Sequence, residues 1–204
     1  MDYLDNQYDA LVNYVKDVEK KFISRYLPPK PEDGPDIYGL DVRSYCVLVH
    51  AALEEFFEKI AIYVMDESVA YFLKGIWKKP LLAMVSHARE RLKVEPMDNV
   101  NEQTAFDCIR NILANFKTQF SNEIHANHGT SIDCLRKLLM PVYINIPDDV
   151  NWRNSLGQLT KDRGSMAHKQ VVDRIPSPED VHKYVKDSLE MARNVRDQAK
   201  SLLS

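Results

Sequence analysis

One stretch of the chain is apolar on almost every side of a helix. Residues 45–65 read YCVLVHAALEEFFEKIAIYVM, with apolar residues at spacings of three and four. This periodicity predicts an α-helix, which we expect over residues 41–65. A helix that is apolar all round must be covered on all sides, by its own bundle or also by a partner subunit. The stretch therefore restricts the fold to a helical bundle built around one central helix.

The rest of the chain has helical periodicity as well. Glycine is scarce, with 6 among 204 residues, and glycine and proline cluster where predicted helices end. The short run at 142–146 is the only strand-like segment. We therefore predict an all-α fold, an antiparallel bundle of about five to seven helices. The further predicted helices cover residues 3–26, 66–92 with a break at Lys79–Pro80, 101–127, 130–140, 148–168 and 177–203.

Several helix ends have capping residues. Asn101 is placed to cap the start of one helix, and Gly129 to end it in the left-handed conformation. Thr130 and Asp133 have the spacing of a capping box at the start of the next helix. Ser177, followed by proline, is a favourable N-cap for the last helix.

A proline-rich segment interrupts the pattern after the first helix. It reads LPPKPEDGP, and its prolines fix φ and cannot continue a helix. We therefore predict an N-terminal helical arm at residues 1–27, a linker at 28–40 and a helical bundle at 41–204.

Composition limits the class of protein. The formal net charge is −3 and the pI about 6.1, which argues against a dedicated duplex-DNA binder. Cys46, Cys108 and Cys134 form no CxxC pair, so we expect reduced thiols and no metal or disulfide. The acidic, amphipathic start is unlike a signal peptide, and no apolar run approaches the roughly 18 residues of a membrane span. We expect a cytoplasmic protein without a membrane partner or cofactor.

Arg163 and His168 are the main candidates for chemistry. A histidine can exchange a proton near neutral pH, and an arginine can clamp a phosphate and offset its developing charge. With the 2′-hydroxyl of RNA as the nucleophile, such a pair needs no metal. On a straight helix the two residues stand about 140° apart, so they share a face only if the segment bends, and Gly164 can supply such a bend. The alternative is a structural role, in which the histidine is hydrogen-bonded by a neighbour and the arginine is paired with Asp162 or Glu179.

Three stretches resemble a known family. They are VHAALEEFFEKIA at 49–61, NHGTSIDCLRKLLMPVYI at 127–144 and LGQLTKDRGSMAHK at 156–169. Together they resemble the HEPN superfamily, and most closely its RiboL-PSP-like group. Their order and spacing cover about residues 40–200, and the last stretch contains the R-x4-H form of the family's motif.

The resemblance implies a fold, an activity and roles for individual residues. It implies an all-α homodimer that cleaves RNA, with Arg163 and His168 as the catalytic pair and Glu54 orienting one of them. Each subunit would contribute to one composite cleft. Many members have a polar residue directly after the arginine, where this chain has Gly164. A toxin of a toxin–antitoxin pair or an anti-phage effector is the expected biology, with an antitoxin or defence protein as partner.

Other polar residues near these stretches are secondary candidates. Ser165 can hydrogen-bond a phosphate or cap the bent segment. Asn127 and His128 are candidate substrate-binding residues, although the turn that follows a helix also explains them. His125 and His128 have a spacing that suits a metal, but two ligands do not make a site. His50 and Glu54 can pair on one helix face, either for function or as a buried polar pair.

The sequence leaves two further questions open. The segments GIWKKP at 75–80 and ARERLK at 88–93 place basic residues near Trp77, which suits single-stranded RNA or a solvated helix end. The alternative function is a non-catalytic module that dimerises or binds a nucleotide or partner protein. A third hypothesis is a helical sensor for a small ligand, which would have a closed polar cavity.

Overall fold

The computed structural model describes residues 2–30, 34–89, 102–127, 129–168 and 175–204. The described residues form seven α-helices and two short 3-10 turns, with no strand among them, which confirms the all-α prediction. None of these helices combines the length and apolarity needed to cross a bilayer. The helices are α1 (Tyr3–Phe22), α2 (Pro35–Leu73), α3 (Lys79–Arg89), α4 (Glu102–Ala126), α5 (Ile132–Leu139), α6 (Val150–His168) and α7 (Pro178–Leu203).

Helix α2 is the centre of the bundle. It has 39 residues and contacts each of the other six helices. Its buried side chains follow a spacing of three and four residues and lie on one broad face, somewhat more than half of the circumference. Those without any exposed surface include Val49, Leu53, Phe57, Ile60 and Val64.

Helix α1 packs along α2 and α7 and contributes to the same core. The sequence predicts residues 1–27 as an arm outside the bundle. In the structure, the apolar face of α1 is covered by α2 and, to a smaller extent, by α7. Lys200 Nζ forms an ion pair with Asp5 at 2.7 Å, and the Tyr8 hydroxyl donates to the Leu189 carbonyl at 3.4 Å. The buried residues of α1 are Leu4, Leu11, Val15 and Val18.

Helix α2 differs from its predicted bounds at both ends. It begins at Pro35, so the second half of the predicted linker is helical, because proline fits the first helical turn. Its end comes before the predicted break at Lys79–Pro80. Gly75 has a φ of +77°, and its N–H donates to the Phe72 carbonyl, while the Ile76 N–H reaches back to Tyr71. This is a Schellman ending, and Pro80 falls in the first turn of α3.

The caps are partly as predicted. Ser177 Oγ accepts a hydrogen bond from the Asp180 N–H at 3.0 Å, which confirms the start of α7. Gly129 has a φ of +116° after α4. The predicted capping box at Thr130 is wrong, because Ser131 is the N-cap of α5 and accepts from the Cys134 N–H at 3.2 Å. Asn101 lies outside the described residues. A 3-10 turn (Met140–Val142) follows α5.

Candidate functional site

The interface between α2 and α6 contains a strip of polar groups. Cys46, His50 and Glu54 are spaced four residues apart on α2, so they lie on one face. Burial raises the pKa of the Cys46 thiol to about 12, with a further contribution from the negative charge of Asp162 on α6. Arg163, the next residue of α6, acts electrostatically on His50. The strip therefore faces the part of α6 in which Arg163 stands.

Glu54 connects α2 to the turn between α4 and α5. Its Oε1 accepts a hydrogen bond from the N–H of Gly129, and its Oε2 lies 3.9 Å from His50 Nδ1. Gly129 has a positive φ, which glycine adopts without the steric penalty of a side chain. The sequence predicts Glu54 as an orienting residue, and the structure places its carboxylate against a backbone amide and a histidine.

His50 is a buried imidazole with an unusual environment. Its side chain is 1% exposed, and neither ring nitrogen has a hydrogen-bond partner among the described residues. Burial, together with the smaller effect of the Arg163 charge, lowers its pKa from 6.5 to about 4, although the Glu54 carboxylate partly opposes the shift. His50 is therefore neutral at pH 7 and adds no positive charge beside Arg163.

This buried histidine predicts a pH-dependent stability. Between pH 6.5 and about 4 the unfolded chain binds a proton that folded His50 excludes. The free energy of unfolding should therefore fall as the pH drops, by up to about 1.4 kcal/mol per pH unit from this group. Urea unfolding of the parent and of His50→Gln at several pH values measures it. Parallel profiles for the two proteins would contradict the assignment.

Arg163 is half-buried on α6, which runs as one α-helix from Val150 to His168. The helix therefore continues without a break through Gly164, where the sequence allows a bend. Positions 163 and 168 stand about 140° apart around a straight helix axis. The side chains of Ser165 and His168 lie outside the described residues. The structure thus brings Arg163 to the His50–Glu54 pair and leaves the position of the His168 side chain as a prediction.

The turn after α4 is held by contacts that the sequence only partly reveals. Asn127 Nδ2 donates to the Cys134 carbonyl at 3.2 Å, which favours the role in the turn over substrate binding. Thr130 Oγ1 lies 3.0 Å from Thr160 Oγ1 on α6. The sequence does not predict this pair, because an isolated threonine in a helix or turn gives no signal of a partner. His128 lies outside the described residues.

Two cavities lie near this turn. One, of about 330 Å³, is bordered by α3, α4 and α5 and includes Asn127 in its wall. An open groove of about 290 Å³ is lined by Glu54, Glu58 and His125. In the ranges described above, no three histidine, cysteine or acidic side chains converge as metal ligands.

The protein is an all-α domain whose long central helix, α2, contains the polar groups Cys46, His50 and Glu54. Comparison of its sequence with family models identifies the family. Residues 9–201 match the sequence model of the RiboL-PSP-HEPN family. Because the match spans nearly the whole chain, including most of α1, the chain belongs to the RiboL-PSP-HEPN family of HEPN-type domains. No curated protein and no solved structure matches the chain.

Proposed function

We propose that the protein is a metal-independent endoribonuclease that cleaves RNA with Arg163 and His168. The 2′-hydroxyl attacks the adjacent phosphorus and the bond to the 5′-oxygen breaks. The products are a 2′,3′-cyclic phosphate and a 5′-hydroxyl end. His168 exchanges protons with these oxygens, and Arg163 binds the phosphate and stabilises its developing charge. A toxin or anti-phage effector, restrained by a partner protein, is the biological setting that we propose.

The environment of Arg163 is the observation that carries the proposal. Arg163 is half-buried and close enough to act electrostatically on His50, which is neutral at pH 7 and therefore adds no second positive charge. A partly desolvated arginine binds a phosphate more strongly than an exposed one, since water screens the interaction less. Glu54, fixed by the Gly129 N–H, supplies the negative group that can orient the arginine. Family membership supports the same chemistry.

A homodimer reconciles the proposed pair with the straight helix α6. Arg163 and His168 stand too far apart around one helix to act together readily, so a second copy can supply the missing partner. Helix α2, which includes Glu54, also has an apolar outward face suited to a dimer. Its exposed residues include Ile37, Leu40, with 76% of its surface exposed, and Ala51.

Leu40→Glu is expected to weaken the proposed dimer. A glutamate at this position would bury a charge in an apolar interface, so we expect at least a tenfold increase in the dissociation constant. Sedimentation velocity over a range of concentrations measures it. Leu82→Glu is the matched control, because Leu82 is an exposed leucine on α3. Unchanged association of Leu40→Glu, or equal weakening by both variants, would refute this dimer face.

A cleavage assay tests the proposed function. Purified protein is incubated with total RNA and a defined tRNA in EDTA, beside His168→Ala. We expect cleavage by the parent, a loss of at least 100-fold in the variant and products with cyclic phosphate ends. His182→Ala is the control, because His182 is a partly exposed histidine on α7 paired with Glu19. Equal cleavage by the parent and His168→Ala would reject the proposal.

The second candidate is a non-catalytic module that binds a protein partner. The exposed apolar residues of α2 favour it as much as they favour a nuclease dimer, because either role needs a large interface. This candidate predicts no RNA cleavage at any protein concentration, together with an intact dimer or complex.

A further inference from the structure

The turn between α2 and α3 presents aromatic, aliphatic and basic side chains together. The turn patch, as we call it, contains four exposed apolar residues and two exposed lysines. Of the apolar residues, Trp77 has 57% of its surface exposed. The turn patch consists of Leu73, Lys74, Ile76, Trp77, Lys79 and Leu82.

The exposed indole is held in place. The ring of Trp77 packs edge-to-face on Phe72, with centroids 5.3 Å apart, and Phe72 stacks on Phe106 at 4.7 Å. The Schellman ending at Gly75 fixes the backbone between α2 and Trp77. A ring fixed in this way loses little conformational entropy when a planar group stacks on it.

The charge around the indole is positive on a chain that is otherwise acidic. Residues 68–89 form the longest stretch of the sequence without an acidic residue and contain four basic ones, a charge of +4. The whole chain carries −3, so the other residues together carry −7. Nearby on α4, Asp107 is paired with Arg110 at 3.4 Å. Lys74 and Lys79 are exposed in this stretch, whereas Lys78 donates to the Ser204 carbonyl. A polyanion is therefore attracted to the two exposed lysines.

We infer that the turn patch is a binding site for single-stranded RNA, in which a base stacks on Trp77 and Lys74 and Lys79 contact phosphates. Stacking on an aromatic ring beside basic groups is how proteins hold single strands without reading their sequence. A duplex keeps its bases stacked inside, so it offers no free base to the indole. The inference rests on the proposed function for its choice of polyanion.

The patch is distant from the candidate cleavage site. Leu73 stands 19 residues beyond Glu54 on α2, about 28 Å along the helix. The patch therefore holds RNA that flanks the cleaved bond and does not touch the reacting phosphate. Its loss should raise KM for long substrates and leave kcat unchanged.

Binding can be measured separately from cleavage. In an Arg163→Ala background, which keeps the RNA intact, anisotropy of a fluorescein-labelled single-stranded 20-mer gives the affinity. We expect Trp77→Ala to weaken binding roughly 5- to 150-fold. Lys74→Glu/Lys79→Glu should also weaken it, and removing two phosphate contacts should lower the slope of log affinity against log salt by about 1.4.

The control variant reverses the charge of two lysines at a different part of the surface. Lys20 and Lys21 are exposed on α1, and Lys20→Glu/Lys21→Glu alters the net charge by the same amount. Equal losses from the two lysine pairs, unchanged binding by Trp77→Ala, or equal affinity for duplex RNA would overturn the inference. Trp77 fluorescence that responds to vesicles of phosphatidylcholine and phosphatidylglycerol but not to RNA would assign the patch to an anionic membrane instead.

Failure of the RNA-binding inference can be distinguished from failure of the proposed nuclease. Cleavage is scored with Arg163 intact, and binding is scored without it. RNA bound at the turn patch by a protein that cleaves nothing would reject the nuclease and retain this site. If the patch variants leave cleavage and the KM for long RNA unchanged, the turn-patch site is rejected and the nuclease is retained.

Discussion

Replacing Arg163 with alanine is expected to lower the rate of RNA cleavage by a factor of about 100 to 1,000, the usual cost of losing one preorganised group that stabilises developing charge. Arg163→Lys should recover part of the rate, because lysine keeps the charge but loses the bidentate geometry. Single-turnover cleavage of a defined tRNA in EDTA measures both. The pKa of His50 should also rise in Arg163→Ala, since the arginine charge helps to lower it.

Arg110→Ala is the control for this experiment. Arg110 is an exposed arginine on α4 that forms an i, i+3 ion pair with Asp107 at 3.4 Å. Such surface pairs contribute about 0–1 kcal/mol to stability, so the variant should cleave like the parent. Cleavage by Arg163→Ala at the parental rate would remove this arginine from the mechanism. A rise of the His50 pKa without loss of cleavage would leave Arg163 with a structural role only.

Phe57→Ala is expected to reduce the free energy of unfolding by about 3–5 kcal/mol. Phe57 has no exposed surface, and its ring contacts that of Phe56 with centroids 5.5 Å apart on the helix that all others contact. Its removal leaves a cavity that the surrounding helices cannot close without moving. Urea unfolding followed by far-UV circular dichroism measures the change.

Leu40→Ala is the matched control on the same helix. Leu40 is exposed, so we expect a change within about 0.5 kcal/mol at concentrations where the protein is monomeric. If Phe57→Ala costs less than about 1 kcal/mol, the packing around the middle of α2 is looser than described. A large decrease in the free energy of unfolding of Leu40→Ala at low protein concentration would indicate that this face is covered within one chain.

Much of the fold is readable from the sequence, because helix periodicity and capping are local. The apolar stretch of α2 and the Ser177 cap of α7 are examples, and both match the structure. The start of α2 is harder to predict, because Pro35 fits the first turn of a helix as well as a linker. Helix α1 packs on α2 and also on α7, which is more than 150 positions away, so its amphipathic pattern identifies a buried face but not the helices that cover it.

For the candidate site, too, the local features can be predicted from the sequence and the long-range contacts cannot. The four-residue spacing of His50 and Glu54 is enough to place them on one face of a helix. The hydrogen bond from Gly129 to Glu54 joins residues 75 positions apart, and no local pattern contains it. Helix α6 continues through Gly164 because glycine disfavours a helix by only about 1 kcal/mol. Packing of α6 on α2 and α7, with Ser155 Oγ 2.6 Å from Asp187, outweighs that preference.

The pairing of α1 with α7 has a consequence during synthesis on the ribosome. The apolar face of α1 leaves the ribosome well before α7, which covers part of it. A nascent chain that has not reached α7 therefore keeps part of its core open and is a natural substrate for chaperones. Arg163 follows α1 and α2 in the chain, so a ribosome-bound fragment long enough to fold these two helices is still without the proposed chemistry. Assembly of the bundle and appearance of the site thus both wait for the translation of α6 and α7.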